Sequence, residues 1–228
     1  MRTRLLVISP HLDDAVLGCA DLLAECPGSV VLTVFAGGPA DGDVLTEWDA
    51  ACGFGSAAEA IAQRRIEDAL ALEVLAAAPH WLGLPDDQYR STGQAPAIAA
   101  EVEHGISMAL DRYQPDRVAM PLGLFHRDHA IVHAAALAML RRDTAREWHA
   151  FEDTFYRRIP GLLQHRLAGL AASRVTATPV RPDSAVTPQR KRAAVRCYSS
   201  QLRGLASPGR PGSADSEAPE GYWRLDAQ

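Results

Sequence analysis

Short apolar runs alternate with longer helical patterns along this chain. Three of the runs are rich in Val, Leu and Ile and are bounded by Pro, Gly or Ser, which is typical of buried parallel strands. They cover 4–9, 30–35 and 117–122. Between them, apolar residues at helical spacing predict four helices. These helices cover 15–25, 57–78, 96–112 and 129–141. Alternating strands and helices predict an α/β fold in which helices enclose a mostly parallel sheet.

The length of the chain fits one domain. A chain of 228 residues with 47% hydrophobic content can bury a substantial core, so we expect a single domain over 1–228. The segment 206–219, "ASPGRPGSADSEAP", is rich in Pro, Gly and Ser and predicts a flexible loop within that domain. The apolar residues "YWRL" that follow it are expected to pack against the domain.

Composition excludes several classes of function. A net charge of −5 provides no basic surface for a phosphate backbone, so no nucleic-acid partner is expected. No apolar run could span a bilayer, and the basic start "MRTR" leads to acidic residues instead of a secretory leader. We therefore expect a cytoplasmic protein without a membrane partner. The four cysteines form no C-x-x-C pair and are expected to be reduced.

Chemically reactive side chains follow two of the predicted strands. The first strand leads into His11, Asp13 and Asp14, and the run 117–122 leads into "HRDH", residues 126–129. Ligands of parallel sheets collect beyond the carboxyl ends of the strands, so these two groups are expected to share one site.

The residue types fit a hydrolytic zinc centre. Zinc in hydrolases takes three N or O ligands and lowers the pKa of a water in the fourth position to about 7. His11, Asp14 and His129 would form such a set. Asp13 would then be free to act as the general base, and His126 could stabilise the oxyanion that forms during attack on a carbonyl.

Simpler interpretations of the same residues stay open. Asp14 could cap the following helix, and the histidines of "HRDH" could belong to a surface loop and a helix start. His133 lies one helical turn beyond His129, so these two histidines form a rival ligand pair.

At these residues the chain resembles a known family. "SPHLDD" is similar to the Pro-His-Pro-Asp-Asp signature of the LmbE-like, PIG-L-type N-acetylglucosaminyl deacetylases, and "HRDH" is similar to their His-x-Asp-His signature. Further segments occur in the order found in that family, so the resemblance covers nearly the whole chain. They are "RRIEDALALEVL", "WLGLPDDQY", "FEDTFY", "KRAAVRCYSSQL" and "YWRL".

The resemblance implies a Rossmann-like three-layer α/β/α sandwich that removes an acetyl group from an N-acetylated amino sugar. It also implies zinc ligation by His11, Asp14 and His129, with Asp13 as general base and His126 stabilising the tetrahedral intermediate. Family members act in the assembly of mycothiol and bacillithiol, of glycolipid anchors, and of aminoglycoside or glycopeptide antibiotics.

Three positions depart from the family pattern. Leu12 replaces the usual proline, Ala15 stands where most members have glutamate, and Arg127 adds a positive charge inside the second signature. None of them removes an implied ligand or the base.

Residues that could recognise the substrate are less well defined by the sequence. The candidates are polar groups beside the predicted site, on the long helix, after the predicted strand "HWLGL" and near "FEDTFY". They are Arg64, Arg65, Asp86, Asp87, Tyr89, Arg127 and Asp153. The Gly- and Pro-rich loop "AGGPADGDVLTEW" and the loop 206–219 are expected to narrow the mouth of the site.

Other classes of function fit less well. A dinucleotide-binding oxidoreductase needs Gly-x-Gly-x-x-Gly after the first strand, and a haloacid-type phosphatase needs a different aspartate spacing. Two alternatives stay open: a zinc amidase acting on another N-acyl or thiol-conjugate substrate, and a catalytically silent sugar-binding homologue. Another divalent metal such as Fe²⁺ could replace zinc. A homo-oligomer is compatible with the sequence, which does not identify the sugar.

Overall fold

A seven-stranded sheet forms the centre of the molecule in a computed structural model. The structure describes residues 5–91, 95–143, 145–183, 186–210 and 212–228. The strands are β1 (Leu5–Ser9), β2 (Val30–Thr33), β3 (Ala78–Trp81), β4 (Arg117–Pro121), β5 (Glu147–Phe151), β6 (Val175–Val180) and β7 (Tyr222–Ala227). The α-helices are α1 (Asp14–Glu25), α2 (Glu47–Cys52), α3 (Ala57–Val74), α4 (Ala95–Tyr113), α5 (Arg127–Arg142), α6 (Leu162–Ala172), α7 (Pro188–Arg196) and α8 (Ser199–Leu205).

The strand order is β3-β2-β1-β4-β5-β7-β6. The first five strands in this order are parallel, while β7 runs antiparallel to both β5 and β6. β7 therefore separates two strands that follow one another along the chain. The predicted α/β fold with a mostly parallel sheet is confirmed.

Two apolar layers cover the two faces of this sheet. Along β1 the side chains alternate: Leu6 and Ile8 pack with α4, α5 and α6, whereas Leu5 and Val7 pack with α1, α3 and α7. All four side chains are fully buried. A strand buried on both faces reads as a continuous apolar run, which explains the pattern from which β1 was predicted.

Helix α1 contains a kink whose backbone groups are satisfied by two buried charges. Cys19 has non-helical dihedral angles, so the helical hydrogen-bond ladder is interrupted there. The N–H groups of Ala20 and Asp21 donate to the Glu220 carboxylate, at 3.0 and 2.9 Å. On the other side of the kink, the Lys191 ammonium donates to the carbonyls of Val16 and Leu17 and pairs with Glu220. The kink thus attaches α1 to α7 and to the segment before β7.

The long helix α3 ends four residues before its predicted limit. Ala76 adopts the left-handed conformation with φ of 56°, and Ala77 N–H donates to Leu72 O at 2.9 Å. This pattern is a Schellman helix end. Ala78 N–H then donates to Ser29 O and begins β3, so pairing with the sheet overrides the helix propensity of the "AAA" segment.

The segment 206–219 connects α8 to β7. Within it, residues 214–217 form a single 3₁₀ turn in which Ser216 is buried. Arg192 on α7 and Arg158 form ion pairs with Glu217 and Asp215 of this turn. Pro211 lies outside the described residues, and the flexibility of this loop stays a prediction.

In the described part of the chain, no helix is both long enough and apolar enough to cross a membrane. The four cysteines are free thiols, and two of them, Cys19 and Cys52, are buried.

Candidate active site

A cavity of about 490 Å³ opens at the carboxyl edge of the parallel strands. The segment after β1 supplies His11, Asp13 and Asp14, and the segment after β4 supplies His126 and His129. β1 and β4 are neighbours in the sheet, so the two sequence motifs meet across one strand spacing. The structure therefore brings together all five residues that the sequence predicts for one site.

Three of these side chains converge on one point. His11 Nδ1 lies 3.2 Å from Asp14 Oδ2 and 3.3 Å from His129 Nε2, and the distance from His129 Nε2 to Asp14 Oδ2 is 3.2 Å. Ligands held about 2.1 Å from a tetrahedral ion lie about 3.4 Å apart. The donor set of two imidazoles and one carboxylate therefore fits a divalent cation in both chemistry and spacing.

The far nitrogen of each of these histidines is held by a buried carboxylate. His11 Nε2 lies 3.0 Å from Asp128 Oδ2, and His129 Nδ1 hydrogen bonds to Asp153. The Asp128 and Asp153 side chains have no solvent exposure. Each carboxylate fixes the tautomer that directs the other ring nitrogen toward the point of convergence, as outer carboxylates do for histidine ligands of metals.

The electrostatic environment favours positive charge at this point. Burial by itself lowers the pKa of His11 and of His129, yet the surrounding carboxylates raise both. For His129 the carboxylates Asp14 and Asp153 raise the pKa to about 10. The same negative potential would stabilise a bound cation.

The pKa values of the two adjacent aspartates, Asp13 and Asp14, are shifted in opposite directions. Burial raises the pKa of Asp13 to about 7, and the nearby Asp14 carboxylate adds to this effect. Although burial opposes it, interaction with His129 and His11 holds the pKa of Asp14 well below its usual range. Asp14 is thus a permanent anion, while Asp13 is suited to exchanging a proton near neutral pH.

His126 presents a hydrogen-bond donor to the cavity. Its Nδ1 accepts from Asp128 N–H at 3.2 Å, so in the neutral ring the proton lies on Nε2. Burial and the charges of His11 and His129 lower the pKa of His126, which favours this neutral form. The ring also stacks on Tyr156, at 6.5 Å between centroids.

Two other groups of three metal-liganding side chains have their ligand atoms within 4.8 Å of one another in the described residues. They are His11 with His126 and His129, and His11 with Asp86 and Asp128. The second group is a poor cation site because the Arg90 guanidinium pairs with Asp128. In the first group, His126 differs from the other two histidines because no carboxylate of the described residues hydrogen bonds to its ring.

His133 does not join the cluster. Its Nδ1 lies 3.0 Å from Pro121 O, and the side chain does not line the cavity. The rival ligand pair of His129 and His133 therefore receives no geometric support.

The structure separates the predicted substrate-binding residues into two groups. Arg64, Asp86 and Asp87 line the cavity. Arg64 is 3% exposed and lies 3.7 Å from Asp86, and its Nε and one terminal nitrogen have no hydrogen-bond partner among the described residues.

The other candidates lie outside the cavity lining. Arg65 donates to Ala36 O and covers the Trp81 ring, and Tyr89 donates to Asp49. Arg127 is 74% exposed beside Asp87.

Asp153 also lies outside the cavity lining, where it contacts His129. Its second oxygen accepts from Leu124 N–H at 2.9 Å, so both oxygens are occupied behind the histidine.

Sequence reasoning missed several residues of this site. Asp128 was visible only as part of the "HRDH" signature, and its connection to Arg90 comes from a segment 38 residues away. The cavity wall also includes Trp48, Tyr156, Gln201 and Arg210, which no local pattern distinguishes from ordinary surface residues. Leu12 and Ala15, two of the residues that depart from the family signature, are buried and belong to the apolar interior.

The fold is thus a mostly parallel α/β sheet that carries a cluster of two histidines and one aspartate at its carboxyl edge. The chain belongs to the PIG-L family, described as GlcNAc-PI de-N-acetylase, which it matches over residues 6–140. No curated protein matches the chain in sequence.

Solved structures of similar fold include deacetylases of antibiotic biosynthesis. A triple mutant of a teicoplanin-pathway deacetylase is 26% identical with a TM-score of 0.79, and 99% of each chain is covered. The pseudoaglycone deacetylase Dbv21 is 26% identical with a TM-score of 0.70, covering 99% of this chain and 98% of its own. Teicoplanin deacetylase in a zinc-inhibited form is 24% identical with a TM-score of 0.79 and 99% coverage of both chains, which is evidence for the fold alone.

Proposed function

We propose that this protein is a metal-dependent hydrolase that removes the N-acetyl group from an N-acetylated amino sugar or its conjugate, releasing acetate and a free amine. The observation that carries the proposal is the convergence of His11 Nδ1, Asp14 Oδ2 and His129 Nε2 within 3.3 Å of one another, beside a separate carboxylate at Asp13. The family and the 26% identical deacetylases support the reaction class.

His11, Asp14 and His129 would hold the cation, with zinc as the expected ion and Fe²⁺ as an alternative. When bound, such an ion lowers the pKa of a water molecule and polarises the amide carbonyl.

The remaining steps belong to this chain's own residues. The Asp13 carboxylate accepts a proton from the attacking water, and its pKa of about 7 lets it return that proton to the departing amine nitrogen. His126 Nε2–H donates to the oxygen that gains negative charge as the carbonyl becomes tetrahedral. Arg64 and Asp87, which line the same cavity, are assigned to hydroxyl groups of the sugar.

The proposal is tested by measuring the metal content of the purified protein together with acetate release from a panel of N-acetylglucosamine derivatives. Each assay is repeated after treatment with chelator and after return of one equivalent of zinc or iron. Excess zinc is avoided because a similar deacetylase has a zinc-inhibited form. About one equivalent of metal and chelator-sensitive acetate release is the expected result.

Each other outcome contradicts part of the proposal. Release of a longer acyl group without acetate release would indicate an amidase of different acyl specificity. Sugar binding without any hydrolysis would indicate a silent homologue. A metal-free protein with full activity would overturn the assigned ligands.

A further inference from the structure

The wall of the cavity also contains a group of side chains that the proposed reaction does not use. Trp48 comes from the first turn of α2, Gln201 from α8, and Arg210 from the segment 206–219. We call Trp48 and Arg210 the outer pair. These two residues line the same cavity as His11 and Asp13.

Packing fixes the Trp48 ring. Its indole N–H donates to Gln201 Oε1 at 3.2 Å. The edge of the ring lies so close to α8 that a Cβ on Gly204 would come 3.0 Å from Trp48 and 2.6 Å from Cys52 Sγ. Only glycine permits this approach, so α8 holds the ring as a rigid surface at the cavity wall.

Arg210 lies over this surface. Its guanidinium carbon is 5.2 Å from the centre of the Trp48 ring. The other arginine of the cavity lining, Arg64, is paired with Asp86. Within the described residues no carboxylate oxygen lies within 4 Å of the Arg210 guanidinium, including that of Glu47 in the same cavity. A guanidinium placed on an indole face and left unpaired is suited to a planar anion such as a carboxylate.

We propose that the outer pair is a specificity subsite for an aglycone that carries a carboxylate, with Arg210 pairing the anion and Trp48 contacting the ring or chain that bears it. This inference rests on the proposed deacetylase function, because the sugar would occupy the part of the cavity beside Asp13. The inference specifies the chemical class of the group attached to the sugar, which the deacetylation reaction does not define.

The test compares aryl N-acetyl-β-glucosaminides that differ only in charge. The para- and meta-carboxyphenyl glycosides are each paired with the matching carbamoylphenyl glycoside, and kcat/KM for acetate release is measured. The protein is expected to prefer the carboxylate in at least one pair by about 5-fold or more, as a partly exposed charge-assisted hydrogen bond would give. Arg210→Gln should abolish that preference, and Arg210→Lys should keep part of it.

The control variant is Arg142→Gln, which removes a positive charge whose partner is Glu103 on α4. It should keep the full preference. If the glycosides are bound without turnover while another sugar of the panel is deacetylated, the same ratios are measured as inhibition constants.

The two proposals fail in different ways. Equal constants for carboxylate and amide in both pairs, or an unchanged preference in Arg210→Gln, would overturn the subsite and leave the deacetylase function standing. Absence of acetate release from every sugar tested would overturn the function itself.

Discussion

The hydrogen bonds of Asp153 give a quantitative test of the proposed metal site. One carboxylate oxygen holds His129 Nδ1 and the other accepts from Leu124 N–H at 2.9 Å. An asparagine has only one acceptor oxygen, so Asp153→Asn must place its NH₂ group against one of these two N–H donors. His129 then loses either its anchored tautomer or the loop that supports it.

The expected loss of metal affinity follows from carboxylates that hydrogen bond to histidine ligands in other metal sites. Their removal typically weakens metal binding 10- to 100-fold, which corresponds to about 1.4–2.7 kcal/mol. The dissociation constant is measured by competition with a chromophoric chelator for zinc. Asp226→Asn is the matched control, because Asp226 is 53% exposed and pairs only with Arg224 among the described residues.

Two results would refute the reasoning. A metal dissociation constant that stays within about twofold of the parent value, in a variant whose thermal unfolding is intact, would show that Asp153 does not support His129. A raised KM with unchanged metal affinity would return Asp153 to the role of substrate contact that the sequence first predicted.

Three further predictions concern the neighbouring residues. Asp13→Asn should leave metal content nearly intact and lower kcat about 10²- to 10⁴-fold, measured by acetate release; loss of metal would instead make Asp13 a ligand. His129→Ala should weaken metal binding and activity together, whereas His133→Asn should leave the metal bound, so metal analysis of the two variants decides the ligand set. Burial lowers the pKa of His133 to about 4. Between about pH 6.5 and pH 4, this histidine is therefore protonated in the unfolded chain and neutral in the folded protein. Lowering the pH from 7 to 5 should therefore reduce the free energy of unfolding by about 2 kcal/mol through His133. Denaturant titrations at the two pH values should show a smaller reduction in His133→Asn than in the parent protein.

The sequence predicted the centre of the site because its chemistry is local. His11, Asp13 and Asp14 follow a strand that is apolar on both faces, and the carboxyl ends of parallel strands share one edge. Those two facts place both motifs on one edge of the sheet, and the pairing of β1 with β4 brings them close together.

The supporting residues could not be predicted in the same way. In the sequence, nothing distinguishes Asp153 from an aspartate on the protein surface. Only the pairing of β5 with β4 brings it behind His129. The outer pair depends on the packing of α2 against α8, two short helices about 150 residues apart in the sequence. The end of α3 was overestimated because pairing with β2 competes with a local preference for helix at Ala76 and Ala77.

The position of β7 has a consequence for how the molecule assembles. Tyr222 lies 71 residues after Phe151, yet it pairs directly with Phe151 and also with Val180. In the part of the chain that the structure describes, β6 pairs with β7 and not with β5, so it joins the sheet through β7. Closing such a long loop is slow compared with local helix formation. The amide hydrogens of β6 and β7 should therefore become protected against exchange together during refolding, and later than those of the long helices α3 and α4.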